Sequence, residues 1–226
     1  MSREQELRTA LEERILIIDG AMGTMIQTYG LEEQDFRKDI FANHTIDLKG
    51  NNEVLNLTSP EIILEIHRSY LAAGSDIIET NTFGATRVAQ EEYGLSGSAK
   101  EMNLQAARIA RQAADEMTQE DGRVRFVAGA VGPTNRTLSS SEDVNDPSSR
   151  TTTFDAVKDS YYEQVLALIE GGADLILIET IFDVLNAKAA IVATLEAFAE
   201  SGVELPIILS VTFIQEGSER TVFGQT

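Results

Sequence analysis

Residues 72–83 read AAGSDIIETNTF, and residues 170–182 read EGGADLILIETIF. Each copy is the end of a helix, a small turn, an apolar strand and then a Glu-Thr pair, Glu79-Thr80 and Glu179-Thr180. A carboxylate at the end of a buried strand is costly unless a partner or a ligand balances it. Parallel α/β folds gather ligand groups at that carboxyl end. The repeated phrase therefore predicts an architecture and a place for a site.

Outward from these two strands the same alternation continues. ILIID at 15–19 reads as a fully buried strand closed by Asp19, and a polar helix over 2–14, with Ser2 and Gln5 at capping-box spacing, precedes it. Residues 22–57 read as a long irregular excursion with a turn at Lys49-Gly50-Asn51-Asn52. A helix then opens with Ser59 and Pro60 and carries Ile62, Ile66, Tyr70 and Ala73 on one face. Later helices are marked by Met102, Ala106, Ile109 and Ala113, by Phe154, Val157, Tyr161, Val165 and Leu168, and by Leu185, Ala189, Val192 and Leu195. The intervening strands are 76–83, 125–133, 174–180 and 206–213.

Apolar strands alternating with helices imply a parallel sheet covered on both faces. A doubly wound nucleotide fold would place a GxGxxG turn and a helix after the first strand, and Asp19-Gly20-Ala21-Met22-Gly23 has the wrong spacing. The strand ends Asp19, Glu79, Gly132, Glu179 and Ser210 to Thr212 fit a (β/α)8 TIM barrel better. With about five strands it is an incomplete one, and 1–226 reads as one partial barrel domain. An open barrel edge exposes unpaired backbone, so the protein is expected to continue beyond Thr226, to self-associate through that edge or to depend on a partner.

Composition narrows the functions. The chain has no cysteine, which rules out thiolate chemistry by its own residues and leaves His44 and His67 as its imidazoles. Neither has a metal-ligand companion at useful spacing: His44 reads as solvated and His67 as surface or packing. A net charge of −19 opposes nucleic acid. No apolar run is long enough for a membrane span and no leader is evident, so a cytoplasmic protein without a membrane partner is expected.

Asp19 and Glu179 form the sharpest candidate pair, because both would face the mouth of a barrel and together could hold an ammonium group. Carboxylates sharing a cavity raise one another's pKa. Alternatively, each caps a backbone turn or pairs with a lysine or arginine. The Gly20-Ala21-Met22-Gly23 main chain could approach a carboxylate, or be only a turn. Thr80 and Asn81 could bond a substrate, or satisfy their own loop. Residues 136–154, RTLSSSEDVNDPSSRTTTF, are too long and polar for an ordinary connection and read as a lid, a docking surface or disorder. No catalytic residue and no metal ligand is assigned.

IDGAMGTMIQ at 18–27, the run from Asp47 to Phe83, VAGAVGPTNRT at 127–137, EDVNDPSSRTTTFDAV at 142–157 and GGADLILIETIFDVLNAKAA at 171–190 together resemble the N-terminal homocysteine-binding module of cobalamin-dependent methionine synthase, in the homocysteine S-methyltransferase family. The resemblance implies a barrel that presents the homocysteine thiolate to methylcobalamin carried on another module. It also implies a zinc ion held by three cysteines that lowers the thiol pKa. Asp19 and Glu179 fall on the family's amino-group acids, and Gly20-Ala21 on its carboxylate site. The zinc cysteines and the folate and cobalamin modules are absent from this chain, so half a substrate site, no bound zinc and no methyl transfer by the chain alone are expected. A non-catalytic amino-acid-binding or docking half barrel and a betaine-type homocysteine methyltransferase are the alternatives.

Overall fold

The computed structural model describes residues 3–141, 143, 145–146, 148–214 and 216–226. In chain order it contains α1 (Arg3–Glu13), α2 (Met22–Thr28), α3 (Glu33–Arg37), α4 (Leu55–Thr58), α5 (Pro60–Ala72), β1 (Ile77–Glu79), α6 (Ala99–Asp121), β2 (Phe126–Val131), α7 (Phe154–Gly171), β3 (Leu175–Ile181), α8 (Val184–Ser201) and β4 (Ile207–Val211). The four strands pair in parallel in the order β1-β2-β3-β4. Consecutive parallel strands joined by helices make an α/β fold that is an incomplete (β/α)8 barrel. Among the described residues no helix is long and apolar enough to cross a membrane.

Side chains alternate across the strands and divide the core in two. Ile77, Phe126, Ala128, Leu175 and Leu177 share the inner face with Leu7 of α1. Ile78 and Val127 pack outward against α5 and α6, and Ile176 and Ile178 against α7 and α8. Helices thus cover the outer face, while α1 covers the inner face with Leu7 and Ala10 and lays Arg3 over the Phe126 ring.

Several expectations need correction. Residues 15–19 form no buried strand: they make a single parallel bridge, Ile18 to Ile77, and Ile15 and Ile17 are 84% and 54% exposed. The segment has one sheet neighbour, so only half of its backbone is paired. Residues 22–57 are not irregular but hold α2, α3, α4 and a 3-10 turn at Asn52–Val54. The sequence signal was weak because α3 is capped by a Glu32–Asp35 box rather than by serine or threonine. The β1 strand ends at Glu79, where Thr82 N–H turns back to the Thr80 carbonyl. On α5, of the expected face Ile62, Ile66, Tyr70 and Ala73, Ile66 is buried and Ile62 and Tyr70 are partly buried against the core, Ala73 is exposed, and Ile63, His67 and Leu71 complete the buried set. On α8, Leu185, Val192 and Leu195 are exposed and the alanines Ala189, Ala190, Ala193 and Ala197 are buried, because small side chains let the helix lie close to its neighbours. The Ser2 cap lies outside the described residues.

The repeated phrase carries a repeated bond. Asp76 sends its N–H to the Ile17 carbonyl (2.8 Å) and accepts the Ile17 N–H on its carboxylate (2.9 Å). Asp174 does the same one unit later, to the Val127 carbonyl (2.8 Å) and from the Val127 N–H (2.8 Å). Both side chains are buried, and arginines neutralise them: Arg14 and Arg123 at Asp76, Arg3 and Arg111 at Asp174. The ion pairs and backbone N–H bonds hold the Asp76 carboxyl below its ordinary pKa against the opposing effect of burial. Replacing Asp76 by alanine strands two guanidinium groups and an amide; we expect a loss of about 3 kcal/mol in a urea unfolding experiment.

Candidate functional site

At the carboxyl end of the strands a cavity of about 500 Å3 is lined by Asp19, Gly20, Ala21, Met22, Gly23, Asn52, Glu53, Glu79, Thr80, Asn81, Thr82, Phe83 and Glu179. All six residues proposed from the sequence, Asp19, Gly20, Ala21, Thr80, Asn81 and Glu179, therefore share one wall system. Asp19 comes from the edge segment, whose N–H bonds the Ile77 carbonyl (2.9 Å), and its carboxylate accepts the Glu79 N–H (3.1 Å). Glu79 ends β1, and Glu179 lies near the end of β3. Tyr70 on α5 backs the glycine turn: its hydroxyl donates to the Ala21 carbonyl (3.3 Å), and a β-carbon on Gly20 would lie 3.1 Å from that oxygen.

Sequence reasoning left two acids, Glu79 and Glu53, out of the site. Glu79 was legible, since it occupies the same place in its phrase as Glu179. Glu53 sits in a segment read as loop; the 3-10 turn brings it inward, where it accepts the Gly84 N–H (2.7 Å). Thr80 and Asn81 line the cavity with the Thr80 hydroxyl and the Asn81 amide nitrogen already engaged. Thr80 Oγ1 is 2.6 Å from Thr82 Oγ1 and accepts the Ala130 N–H, and the Asn81 amide donates to the Asn52 carbonyl (2.8 Å). Above the sheet, the buried Asp183 accepts the Leu138 and Ser139 N–H groups and so ties down the described start of the long polar stretch. Glu142, Val144 and Pro147 of that stretch lie outside the described residues.

Among the described residues no lysine or arginine lines the cavity. Burial pushes the Asp19 carboxyl up to about 8, with the charges of Glu79 and Glu179 adding to it and the backbone bonds opposing. Glu79 is pushed up to about 7 by burial and then by Glu179. Burial raises Glu179 and Glu53 as well. Four acids facing one space without a basic partner make a site that favours a cation.

A family model for homocysteine S-methyltransferase matches residues 16–226. The chain belongs to that family. Its fold is similar to crystal structures of the homocysteine methyltransferase MmuM from Escherichia coli. The oxidized form aligns with a TM-score of 0.70 at 24% identity, covering 97% of this chain and 69% of that one. The metallated form gives 0.71 at 23% identity, covering 97% and 70%. At these identities the likeness speaks for the fold.

The zinc site that the resemblance implies can be tested against the donors present. The acids around the cavity offer hard oxygen ligands, and among the described residues its lining has neither a thiolate nor an imidazole donor, its one sulfur being the neutral thioether of Met22. The family's three-cysteine set has no counterpart in a chain without cysteine. His67 is buried on α5 with both ring nitrogens unpaired, and it does not line the cavity. Among the described residues no group of three or more acid, histidine or cysteine side chains could hold a metal. These residues do not fit a thiolate-bound zinc.

The raised carboxyls fix a pH dependence. Between the unfolded values near 4 and the folded values near 7 and 8, the native state keeps protons that the unfolded chain has released. Stability then falls as pH rises through that window. Thermal unfolding from about pH 5 to about pH 8 should show this fall, and Asp19→Asn should make it shallower. A rise in stability over the same range would contradict the assignment.

Proposed function

We propose that this cavity binds homocysteine as part of a methyl-transfer site of the methionine synthase type. The observation that carries the reading is the convergence of Asp19, Glu79 and Glu179 on one cavity that has no basic side chain. In a family defined by homocysteine, the α-ammonium is the cation such a cluster would hold. Asp19 and Glu179 take the ammonium, with Glu79 between them. The main chain of Gly20 and Ala21, which a β-carbon at residue 20 would crowd against Tyr70, takes the carboxylate. Thr80 and Asn81 shape the wall and keep it from collapsing through their own hydrogen bonds.

In this reading the chain's residues bind and orient the amino acid, and the activation of its thiol lies outside them. Methylcobalamin on another module would supply the methyl group. The chain alone then makes no methionine, a result that a purely binding module would also give. Turnover by this chain without added protein, or one tightly held zinc per chain, would contradict that account.

Binding should be visible in the proton balance. An ammonium ion placed among Asp19, Glu79 and Glu179 favours their ionised forms, so binding near pH 7 should release protons. Calorimetric titration of homocysteine in two buffers of different ionisation enthalpy measures the number released. Asp19→Asn should weaken binding by about tenfold or more, the scale expected when one charged hydrogen bond is lost. Equal affinity of wild type and Asp19→Asn would sink the proposal.

A further inference from the structure

The β3 strand breaks its own alternation just after Glu179. Leu175 and Leu177 pack on the inner face, Ile176 and Ile178 on the outer. Strict alternation would send Ile181 inward with Glu179. Ile181 packs outward instead, in the same cluster as Ile176 and Ile178. The pairing with β4 shows where the extra residue enters: Ile178 lies opposite Leu209 and Ile181 opposite Val211, three steps on one strand against two on the other. This is a β-bulge, and Thr180 is inside it with φ of 56°.

A β-branched residue in the left-handed region is a steric outlier. Among the described non-glycine residues only Lys38 shares a positive φ. The conformation is held from both sides, by buried Ile178 and by buried Ile181, whose carbonyl accepts the Thr212 N–H (3.0 Å). As a result two consecutive side chains face the mouth: Glu179 lines the acidic cavity, and Thr180 lines the adjoining groove with Phe83, Tyr93 and Phe182. The Thr180 hydroxyl is 3.5 Å from Glu179 Oε2, too far to hold the carboxylate by itself. The backbone does the holding.

We propose that Thr180 is a positioning residue whose left-handed backbone fixes the direction in which Glu179 enters the acidic cavity. Strain maintained at the wall of a cavity is where such a role is found. The proposal deepens the homocysteine reading and rests on it for its ligand, but the placement of Glu179 can be measured without one. The charged groups sharing the cavity with Glu179 are Asp19 from the edge segment, Glu79 from β1 and Glu53 from the 3-10 turn. Moving Glu179 away from them weakens the mutual repulsion that shapes the pH dependence of stability.

The experiment compares thermal midpoints from about pH 5 to about pH 8, without ligand, for wild type, Thr180→Gly, Thr180→Asn, Glu179→Gln and the Thr180→Gly/Glu179→Gln double variant. Glycine adopts the left-handed conformation freely and many others besides, so it relieves the strain and releases Glu179. The midpoint of Thr180→Gly at about pH 5 should rise by about 3 °C. Its decline toward pH 8 should become as shallow as that of Glu179→Gln, and the double variant should be no shallower. Asparagine tolerates the left-handed region and should keep the wild-type slope. A Thr180→Gly profile parallel to wild type, a slope change that persists in the Glu179→Gln background, or a Thr180→Gly protein less stable at every pH would overturn the proposal. Homocysteine titration of wild type answers separately whether the earlier reading of the ligand holds.

Discussion

The register between neighbouring strands is set by a buried aspartate at the start of β1 and again at the start of β3, and the position of the cavity acids depends on it. Each aspartate closes a two-bond ring with the backbone of the preceding segment, using its own N–H and its carboxylate. A slip of one residue would reverse every side chain of the strand. With the register fixed, Ile77 and Leu175 point inward, and alternation carries Glu79 and Glu179 to that same side of the sheet, the bulge at Thr180 then fixing how Glu179 enters the cavity. A charge neutralised by arginines at one end of the sheet thereby places unneutralised charges at the other.

The two ends solve opposite electrostatic problems. At the start of the strands two guanidinium groups meet each carboxylate, and the network is internally balanced. Around the cavity the Asp19 and Glu53 carboxylates accept backbone N–H groups, Glu179 has a hydroxyl at 3.5 Å, and none of these acids or Glu79 meets a cation in the cavity lining. Buried like charges answer such a setting by retaining protons, which is what their raised pKa values express. The site therefore stores a preference for a positive guest in the structure itself, before any guest is considered.

Much of this was legible in the sequence, for a definable reason. Apolar strands bounded by glycine turns and helices announce a parallel sheet, and the twice-used phrase marked an acid at the carboxyl end of each strand, of which only Glu179 was taken into the candidate site. The signals that failed were those depending on the missing context of a neighbour. The run 15–19 has the composition of a buried strand, yet with one sheet neighbour it makes one bridge. The leucines of α8 have the spacing of a core stripe, but the alanines occupy the close contacts. Glu53 was hidden because a four-residue helix and a 3-10 turn leave almost no periodicity to read. The left-handed Thr180 was invisible, since nothing in a threonine predicts it; only the parity of Ile181 against Glu179 reveals it.

The placement of Asp19 gives the arrangement a further consequence. Its carboxyl is pushed up to about 8, and it sits on an edge segment that makes a single bridge to the sheet. That segment is held by the Asp76 ring, by the Asp19 N–H to Ile77 and by the Asp19 carboxylate on the Glu79 N–H. Repulsion among the acids therefore acts on an element that has a single neighbour in the sheet. An ammonium group in the cavity reverses the sign of that force, drawing the edge segment toward β1 and β3. In this fold, filling the cavity and securing the sheet edge are two effects of the same charge.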